Sequence, residues 1–345
     1  MINHSEPLTI GEVSFAPGSK GEVNLPIGSL IDYQAISMNV HVRRGKHEGP
    51  VLLLTAGIHG DEIVGVEILR RLLKSKRLQG LRGSIIVVPV VCMPAFLART
   101  RYLPDRRDLN RLFPGSPDGS LGGRLAATFT DEVVPNCDYA IDFHTGAVAR
   151  PNLPQIRVSP SDEKSMALAK AFKPPVIMES GVREGSLRYH FTKKGVPSLL
   201  YEAGEAFRLD AAPVKYGLRG VISVMRHLGM LPPSRSRAEP KTKTVIASGT
   251  SWVRAPQGGL FTPFVDLGKA VTPGMKLGLV GDPFGRHETP VTCNMEGVVI
   301  GLNREATTDE GDALFHIATF ENPEKVEAQI LRSEVIMEEH TAELK

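Results

Sequence analysis

Between residues 51 and 231, short apolar segments alternate with segments of helical periodicity, and this alternation most constrains the fold. Continuous apolar runs of five to eight residues are typical of strands buried on both faces. The predicted strands are 51–55, 84–91, 138–143 and 196–202. The predicted helices are 61–76, 121–133, 162–172, 183–194 and 214–228. Strands separated by helices predict an α/β fold with a mostly parallel mixed sheet flanked by helices.

The sequence changes character after this region. Residues 234–243 are rich in Ser, Pro, Lys and Arg, which is typical of a linker. Short strand patterns separated by Gly and Pro follow, and they repeat weakly on themselves, so a small all-β barrel of about 80 residues is predicted. The predicted domains are 1–233, a linker at 234–243, the β-barrel at 244–325 and a tail at 326–345.

Composition excludes several classes of protein. The 345 residues carry a formal net charge of only +3, which does not favour nucleic acid as a partner. No apolar run approaches the roughly 18 residues that a membrane span needs. Three widely spaced cysteines and an N-terminus without the pattern of a signal peptide predict a reducing compartment, the cytoplasm.

The positive charge is concentrated in two places. Residues 99–111 hold five Arg and two Asp, and residues 234–243 hold four basic residues and one Glu. Because guanidinium groups bind carboxylates with two hydrogen bonds, the first cluster favours a small anionic substrate. The alternative is a solvated loop with internal Arg–Asp pairs.

Polar residues follow three of the predicted strands. His59 and Glu62 come after the first strand, His144 after the third, and Glu202 ends the fourth. Ligand sites of parallel sheets lie at the carboxyl ends of strands, so these four side chains are expected to meet. Two His and one Glu form a catalytic zinc set, and Glu202 is then the candidate general base. Capping or core histidines, and Glu205 as the base, are the alternatives.

Four motifs in this order resemble the succinylglutamate desuccinylase/aspartoacylase family of the zinc carboxypeptidase clan. They are Ala56-Gly57-Ile58-His59-Gly60-Asp61-Glu62, Asp108-Leu109-Asn110-Arg111, Asp142-Phe143-His144-Thr145-Gly146 and Tyr201-Glu202-Ala203-Gly204. The resemblance extends over roughly residues 45–320. Residues 150–155 differ from the two enzymes that name the family and resemble a broader group of predicted deacylases.

The resemblance implies a role for each matching residue. His59, Glu62 and His144 would bind one Zn²⁺ per chain, and Glu202 would be the general base and acid. Other roles are implied at four positions: Arg101 polarises the scissile carbonyl, Asn110 and Arg111 hold the substrate carboxylate, and Asp108 orients His59.

The C-terminal region resembles the barrel-sandwich hybrid of lipoyl carriers, but it has no exposed Lys at a hairpin tip. It is therefore predicted to be a barrel that carries no lipoyl group. It would cover or shape the mouth of the active site, or make a contact between subunits of a homo-oligomer.

The predicted function is a zinc-dependent deacylase that cleaves the N-acyl amide bond of a small carboxylate-bearing amino compound. A zinc carboxypeptidase acting on peptides shares the ligand set and stays open as an alternative. A binding protein for an anionic metabolite, without catalysis, is the alternative from another class. Co²⁺ or Ni²⁺ can occupy the same ligands.

Overall fold

The computed structural model describes residues 7–233 and 244–339. The predicted linker at 234–243 and the end of the predicted tail therefore lie outside the described residues. The described chain forms an α/β region followed by a β-rich region, and we keep the predicted domain boundaries as a proposal. Within the described residues, no helix is long and apolar enough to cross a membrane.

The α/β region contains strands and helices that alternate from β5 onward. Its strands are β1 (Leu8–Ile10), β2 (Val13–Phe15), β3 (Lys20–Ser29), β4 (Ala35–Arg44), β5 (His47–Ala56), β6 (Arg82–Val88), β7 (Tyr139–Gly146), β8 (Asn152–Val158), β9 (Val176–Glu179) and β10 (Ser198–Glu205). Its helices are α1 (Val64–Lys74), α2 (Met93–Ala98), α3 (Leu121–Glu132), α4 (Glu163–Phe172), α5 (Leu187–Lys194) and α6 (Ala211–His227).

The large sheet is parallel at its centre and antiparallel on both sides. Strands β10, β7, β5 and β6 lie side by side and pair in parallel. Strand β8 pairs antiparallel with β10, and β4 pairs antiparallel with β6. This arrangement confirms the predicted mixed α/β sheet.

Helices cover both faces of this sheet. One face packs against α1, α4 and α6 through buried side chains such as Ile68, Phe172 and Val221. The other face packs against α2, α3 and α5, with Phe129 and Phe191 in its core. Complete burial of an aliphatic or aromatic side chain stabilises a fold by about 1.5–3 kcal/mol. Both faces of the central strands are therefore apolar, which is why these strands read as continuous apolar runs.

Helix α1 begins at Val64, three residues later than the periodicity predicts. Residues 57–63 form a turn that packs against the start of α2. A Cβ atom at Gly60 would lie 2.0 Å from the carbonyl carbon of Ala95, so only glycine fits there. The turn keeps His59 and Glu62 at the end of the sheet and outside the helix.

Strands β3, β4 and β8 are absent from the sequence prediction. In β8 the polar residues Asn152, Gln155 and Arg157 and the ring of Pro154 interrupt the apolar pattern. The strand forms because its neighbours β10, β9 and, in the C-terminal region, β17 (Gly297–Leu302) supply hydrogen-bonding partners. Its pairing is a tertiary effect that local propensity does not encode.

The C-terminal region is a two-layered β structure, in agreement with the predicted barrel-sandwich type. Its strands are β11 (Val245–Ala247), β12 (Gly249–Arg254), β13 (Gly259–Pro263), β14 (Ala270–Val271), β15 (Lys276–Gly281), β16 (Glu288–Thr292), β17 (Gly297–Leu302), β18 (Thr307–Thr308) and β19 (Ala313–Thr319). Strands β16, β15, β13 and β18 form a separate sheet. Strands β12, β19 and β17 continue the large sheet through the pair Gly301–Asn152.

Helix α7 (Pro323–Glu339) follows the last strand and begins before the predicted start of the tail at 326. Its residues Val326 and Ile330 pack in a buried cluster with Leu153 and Val298. This cluster joins the β-rich region to strand β8 of the α/β region.

Candidate active site

The ends of three neighbouring strands bring the predicted ligands and the predicted base together. His59 and Glu62 lie in the turn after β5, His144 lies in β7, and Glu202 lies in β10. Strands β7 and β10 pair in parallel with His144 opposite Glu202, which puts the two side chains in the same row of the sheet. All four residues line one cavity of about 310 Å³. The convergence expected from the order of strands and motifs is therefore present.

The predicted metal ligands form a compact and buried set of donor atoms. His59 Nδ1 lies 2.6 Å from Glu62 Oε1, and His144 Nδ1 lies 2.8 Å from Glu62 Oε2. One donor atom from each residue lies within 4.8 Å of the other two. The side chains of all three residues are almost inaccessible to solvent. Imidazole nitrogen and carboxylate oxygen are donors that zinc accepts, so the three residues fit a zinc ion.

Each histidine also contacts a second carboxylate, through the ring nitrogen that does not face Glu62. His59 Nε2 lies 3.0 Å from Asp108 Oδ1, and His144 Nε2 lies 2.8 Å from Asp142 Oδ2. Asp142 also accepts a hydrogen bond from the Thr55 hydroxyl. Carboxylates in this position fix the orientation of an imidazole and raise its basicity. Each imidazole therefore presents Nδ1 to the shared Glu62.

The electrostatics of this set favour positive charge. Burial lowers the pKa of His59 and His144, but the carboxylates around them outweigh burial and raise both pKa values. Burial raises the pKa of Glu62, yet the two histidines hold that pKa well below its usual range. A buried group of carboxylates that stabilises positive charge is suited to a divalent cation.

Asp142 is a residue of this site that the sequence analysis did not identify. It lies two residues before His144 in β7, and both side chains are buried on the same face of the strand. The spacing of two residues in a strand was the available signal, because alternate residues point the same way.

Arg101 reaches the ligand set directly. Its Nη1 donates to Glu62 Oε1 at 3.0 Å, and its Nη2 donates to Asp108 Oδ2 at 3.2 Å. Burial lowers the pKa of Arg101, but Glu62 and Asp108 raise it above its ordinary value. The guanidinium is therefore held in its charged form at the edge of the cavity, beside the predicted ligands.

Asn110 and Arg111 lie in a short 3₁₀ turn that Asp108 begins. The Asp108 carboxylate accepts a hydrogen bond from the Asn110 backbone at 2.8 Å. The Asn110 side-chain oxygen accepts from the Leu187 backbone at the start of α5, at 2.9 Å. This contact leaves the Asn110 amide nitrogen available to a ligand. Asn110 and Arg111 both line the cavity.

Three further arginines line the cavity and were not identified from the sequence: Arg157, Arg183 and Arg188. Arg188 donates to the Ser180 hydroxyl at 2.9 Å and to the Gly181 carbonyl at 2.7 Å. Burial and the neighbouring charge of Arg157 lower the pKa of Arg188 to about 10. The positive charge predicted for loop 99–111 is thus extended by side chains from β8, α5 and the segment before α5.

Glu202 is held on one side by an amide. The Asn152 side-chain nitrogen donates to Glu202 Oε2 at 2.8 Å, and Arg157 Nη2 lies 3.8 Å from Glu202 Oε1. The alternative base, Glu205, accepts a hydrogen bond from the Ala149 backbone at 3.0 Å and lies outside the residues that line the cavity. The geometry therefore favours Glu202 over Glu205 as the carboxylate that meets a substrate.

Comparisons with known proteins point to one family. Residues 48–228 match the model of the succinylglutamate desuccinylase/aspartoacylase catalytic domain. A relative from Halomonas elongata, N-alpha-acetyl-L-2,4-diaminobutyric acid deacetylase, is 30% identical over 288 residues, which are 80% of this chain and 84% of that protein.

Two solved structures share most of this architecture. The succinylglutamate desuccinylase/aspartoacylase of Rhodobacter sphaeroides has a TM-score of 0.79 at 25% identity, over 88% of this chain and 95% of that chain. The product-bound ectoine utilization protein EutE (DoeB) of Ruegeria pomeroyi has a TM-score of 0.79 at 26% identity, with the same coverage. From the matched motifs, the fold and these relatives, we conclude that the chain belongs to the succinylglutamate desuccinylase/aspartoacylase family.

Proposed function

We propose that this chain is a zinc-dependent hydrolase that removes the acyl group from the nitrogen of a small carboxylate-bearing amino compound. The observation that carries the proposal is the buried His59–Glu62–His144 set beside Glu202 in one arginine-lined cavity. The name of one relative, a deacetylase, and the name of the matched catalytic domain, a desuccinylase and aspartoacylase, support a deacylase.

In this proposal, His59, Glu62 and His144 hold the zinc ion. A zinc ion supplies Lewis acidity, which makes water more acidic and polarises a carbonyl group. Asp108 and Asp142 keep the two imidazoles oriented, so that each Nδ1 atom faces Glu62, where the ion would be held. The three protein donors leave room for further ligands, as catalytic zinc sites require.

Glu202 is the proposed general base and acid. Its Oε2 atom is occupied by the Asn152 amide, so Oε1 is the atom that accepts a proton from the attacking water. The same carboxyl then protonates the departing nitrogen, which converts the amide into a carboxylate and a free amine. Its place opposite His144 in the sheet keeps this proton transfer close to the proposed ion.

Asn110 and Arg111 are the proposed site for the substrate carboxylate, because both line the cavity and the Asn110 amide is fixed by Leu187. Arg101 is the proposed group that stabilises negative charge on the scissile carbonyl oxygen. Its two contacts with Glu62 and Asp108 restrict the guanidinium to the edge of the ligand set.

The charge of the cavity affects which amino compound is favoured as the amine part of the substrate. Among the described residues, five arginines line the cavity, and the two carboxylates that line it, Glu62 and Glu202, already have partners. A second ammonium group, such as the one in 2,4-diaminobutyrate, would meet the like charge of Arg157 and Arg188. We therefore expect substrates with neutral or acidic side chains to be preferred over N-acetyl-diaminobutyrate.

A substrate panel tests the proposal. Purified protein, with its metal content measured on the same sample, is assayed on N-acetyl and N-succinyl amino acids, on their carboxamide derivatives, and on peptides. The proposal expects zinc in the protein and turnover of N-acyl amino acids, with little turnover of the matched carboxamides. Turnover of peptides alone would identify a carboxypeptidase instead. Metal-free protein that binds an anionic metabolite without turnover would identify a binding protein.

We also propose that the protein works in the reducing environment of the cytoplasm. Cys92, Cys137 and Cys293 are buried free thiols. Burial raises the pKa of Cys92 to about 11 and that of Cys137 to about 12, which keeps both thiols protonated. These cysteines are therefore suited to the core and not to disulfide chemistry.

A further inference from the structure

We infer that Asn152 is the positioning residue for Glu202 and that the β-rich C-terminal region acts on the active site through it. This inference rests on the proposed function, in which Glu202 is the base. It assigns a role to Asn152, which begins β8 and contacts Glu202. It also assigns a role to a region that contributes none of the described residues lining the cavity.

The contact between Asn152 and Glu202 has a defined direction. A carboxylate without a proton can only accept hydrogen bonds, so the Asn152 amide must turn its nitrogen toward Glu202. The 2.8 Å contact with Oε2 holds one carboxylate oxygen in place. It leaves Oε1 on the side of Arg157, whose nearest nitrogen is 3.8 Å away, beyond hydrogen-bond distance. Asn152 therefore selects the oxygen that remains free for proton transfer.

The oxygen side of the Asn152 amide packs against the C-terminal region. Strands β8 and β17 meet at the pair Asn152–Gly301. A Cβ atom at Gly301 would lie 3.0 Å from Asn152 Oδ1 and 3.1 Å from His316 Cβ. His316 in turn stacks on Trp252, with ring centres 4.5 Å apart and planes inclined by 6°. Because Gly301 has no side chain, the Asn152 amide has enough space for its observed position.

Backbone hydrogen bonds also attach the segment before Asn152 to the C-terminal region. Leu302 donates to the Pro151 carbonyl at 3.3 Å, and Arg304 donates to the Ala149 carbonyl at 2.6 Å. Residues 147–151 connect β7 to β8, and these two bonds attach that connection to the C-terminal region. Asn152 is consequently held between β10, which carries Glu202, and the strand that carries Gly301.

A double-mutant cycle with Asn152→Ala and Gly301→Ala tests this coupling. Asn152→Ala removes a hydrogen bond to a charged group and is expected to lower kcat about 10- to 100-fold with KM little changed. Gly301→Ala puts a Cβ atom 3.0 Å from Asn152 Oδ1, so the amide has to shift by a few tenths of an ångström, and the variant is expected to lower kcat by a smaller factor. The double variant is expected to be no slower than Asn152→Ala, because Gly301 acts through Asn152. Gly249→Ala is the matched control, since a Cβ atom there meets open space in the same β-rich region.

Two results overturn the inference: multiplicative losses of kcat in the double variant, or losses that appear in KM alone. Crystal structures of wild type and Gly301→Ala provide a readout that needs no substrate. A displaced Asn152 amide and Glu202 carboxylate support the inference, and an unchanged Glu202 position contradicts it. If wild-type protein hydrolyses no N-acyl amino acid, the proposed function fails, and the crystal structures still decide whether Gly301 positions Glu202.

Discussion

The two sides of the active site differ in their hydrogen bonding. The ligand side consists of the predicted ligands His59, Glu62 and His144, and the base side consists of Glu202 and its neighbours in β8. On the ligand side, both nitrogens of His59 and of His144 lie within hydrogen-bond distance of carboxylates. On the base side, Glu202 has one amide partner, and buried polar atoms without a protein partner lie nearby in β8, namely the Gln155 amide atoms and Arg157 Nε. Hydrogen bonds to carboxylates hold the ligand side rigidly, whereas the base side has polar atoms whose hydrogen bonds are not satisfied by the protein.

Loss of the metal is expected to have the largest effect on activity, because the ligand side has no catalytic function without the ion. Dialysis against a chelator should abolish N-acyl amino acid hydrolysis, and added Zn²⁺ should restore it. His144→Ala should copurify with little metal, since it removes one of three donors. Metal analysis and kcat measure both effects. His47→Ala, an exposed histidine, is the control that should retain metal and activity. Full activity of the metal-free protein would rule out the zinc mechanism.

Glu202→Gln tests the base side while preserving shape. We expect kcat to fall about 10²–10⁴-fold, the usual contribution of a general acid–base group, with the metal retained. Glu205→Gln is the matched control on the same strand, because glutamine can still accept the hydrogen bond from Ala149. Equal losses in the two variants would mean that the base is not assigned correctly.

Asp142→Asn tests how much of the rigidity of the ligand side comes from carboxylates behind the histidines. Metal affinity is expected to fall about 10- to 100-fold, as for other partners of metal-bound histidines. Competition with a chromophoric chelator measures this affinity. Asp105→Asn, in the exposed part of the arginine loop, should leave it unchanged. An unaltered affinity in Asp142→Asn would show that Glu62 alone orients His144.

The smallest expected effect concerns stability on the base side. Burial, with a contribution from Arg157, lowers the pKa of His316 to about 3, so the folded protein keeps this histidine neutral. Unfolded chains protonate histidine near pH 6.5, and the stability contributed by neutral His316 is therefore lost as the pH falls below that value. When the pH is lowered from 7.5 to 5.5, the free energy of unfolding should fall by about 1.4 kcal/mol less in His316→Phe than in wild type. Urea unfolding at both pH values measures this difference, and identical losses would contradict it.

The sequence alone predicts the parts of the fold that local physics encodes. Continuous apolar runs such as that in β5 and the periodicity of α1 identify the α/β order, because burial on both faces leaves an unbroken pattern. The motifs containing His59, Glu62, His144 and Glu202 predict a ligand set and a base through their chemistry and their places after strands, and the structure brings all four to one cavity. The start of α1 was predicted too early because packing of Gly60 against Ala95 holds the turn open.

The strand order of the sheet and the contacts of its side chains depend on the tertiary structure. Strand β8 lacks an apolar pattern, yet it lies beside β10 and brings Arg157, Gln155 and Asn152 to the base side. The +3 net charge of the chain likewise does not reveal that arginines from distant segments line one cavity. The sequence determined which chemistry the protein carries, since residue types and motifs are local. Only the tertiary structure decided how that chemistry is positioned, because the contact between Gly301 and Asn152 joins residues about 150 positions apart.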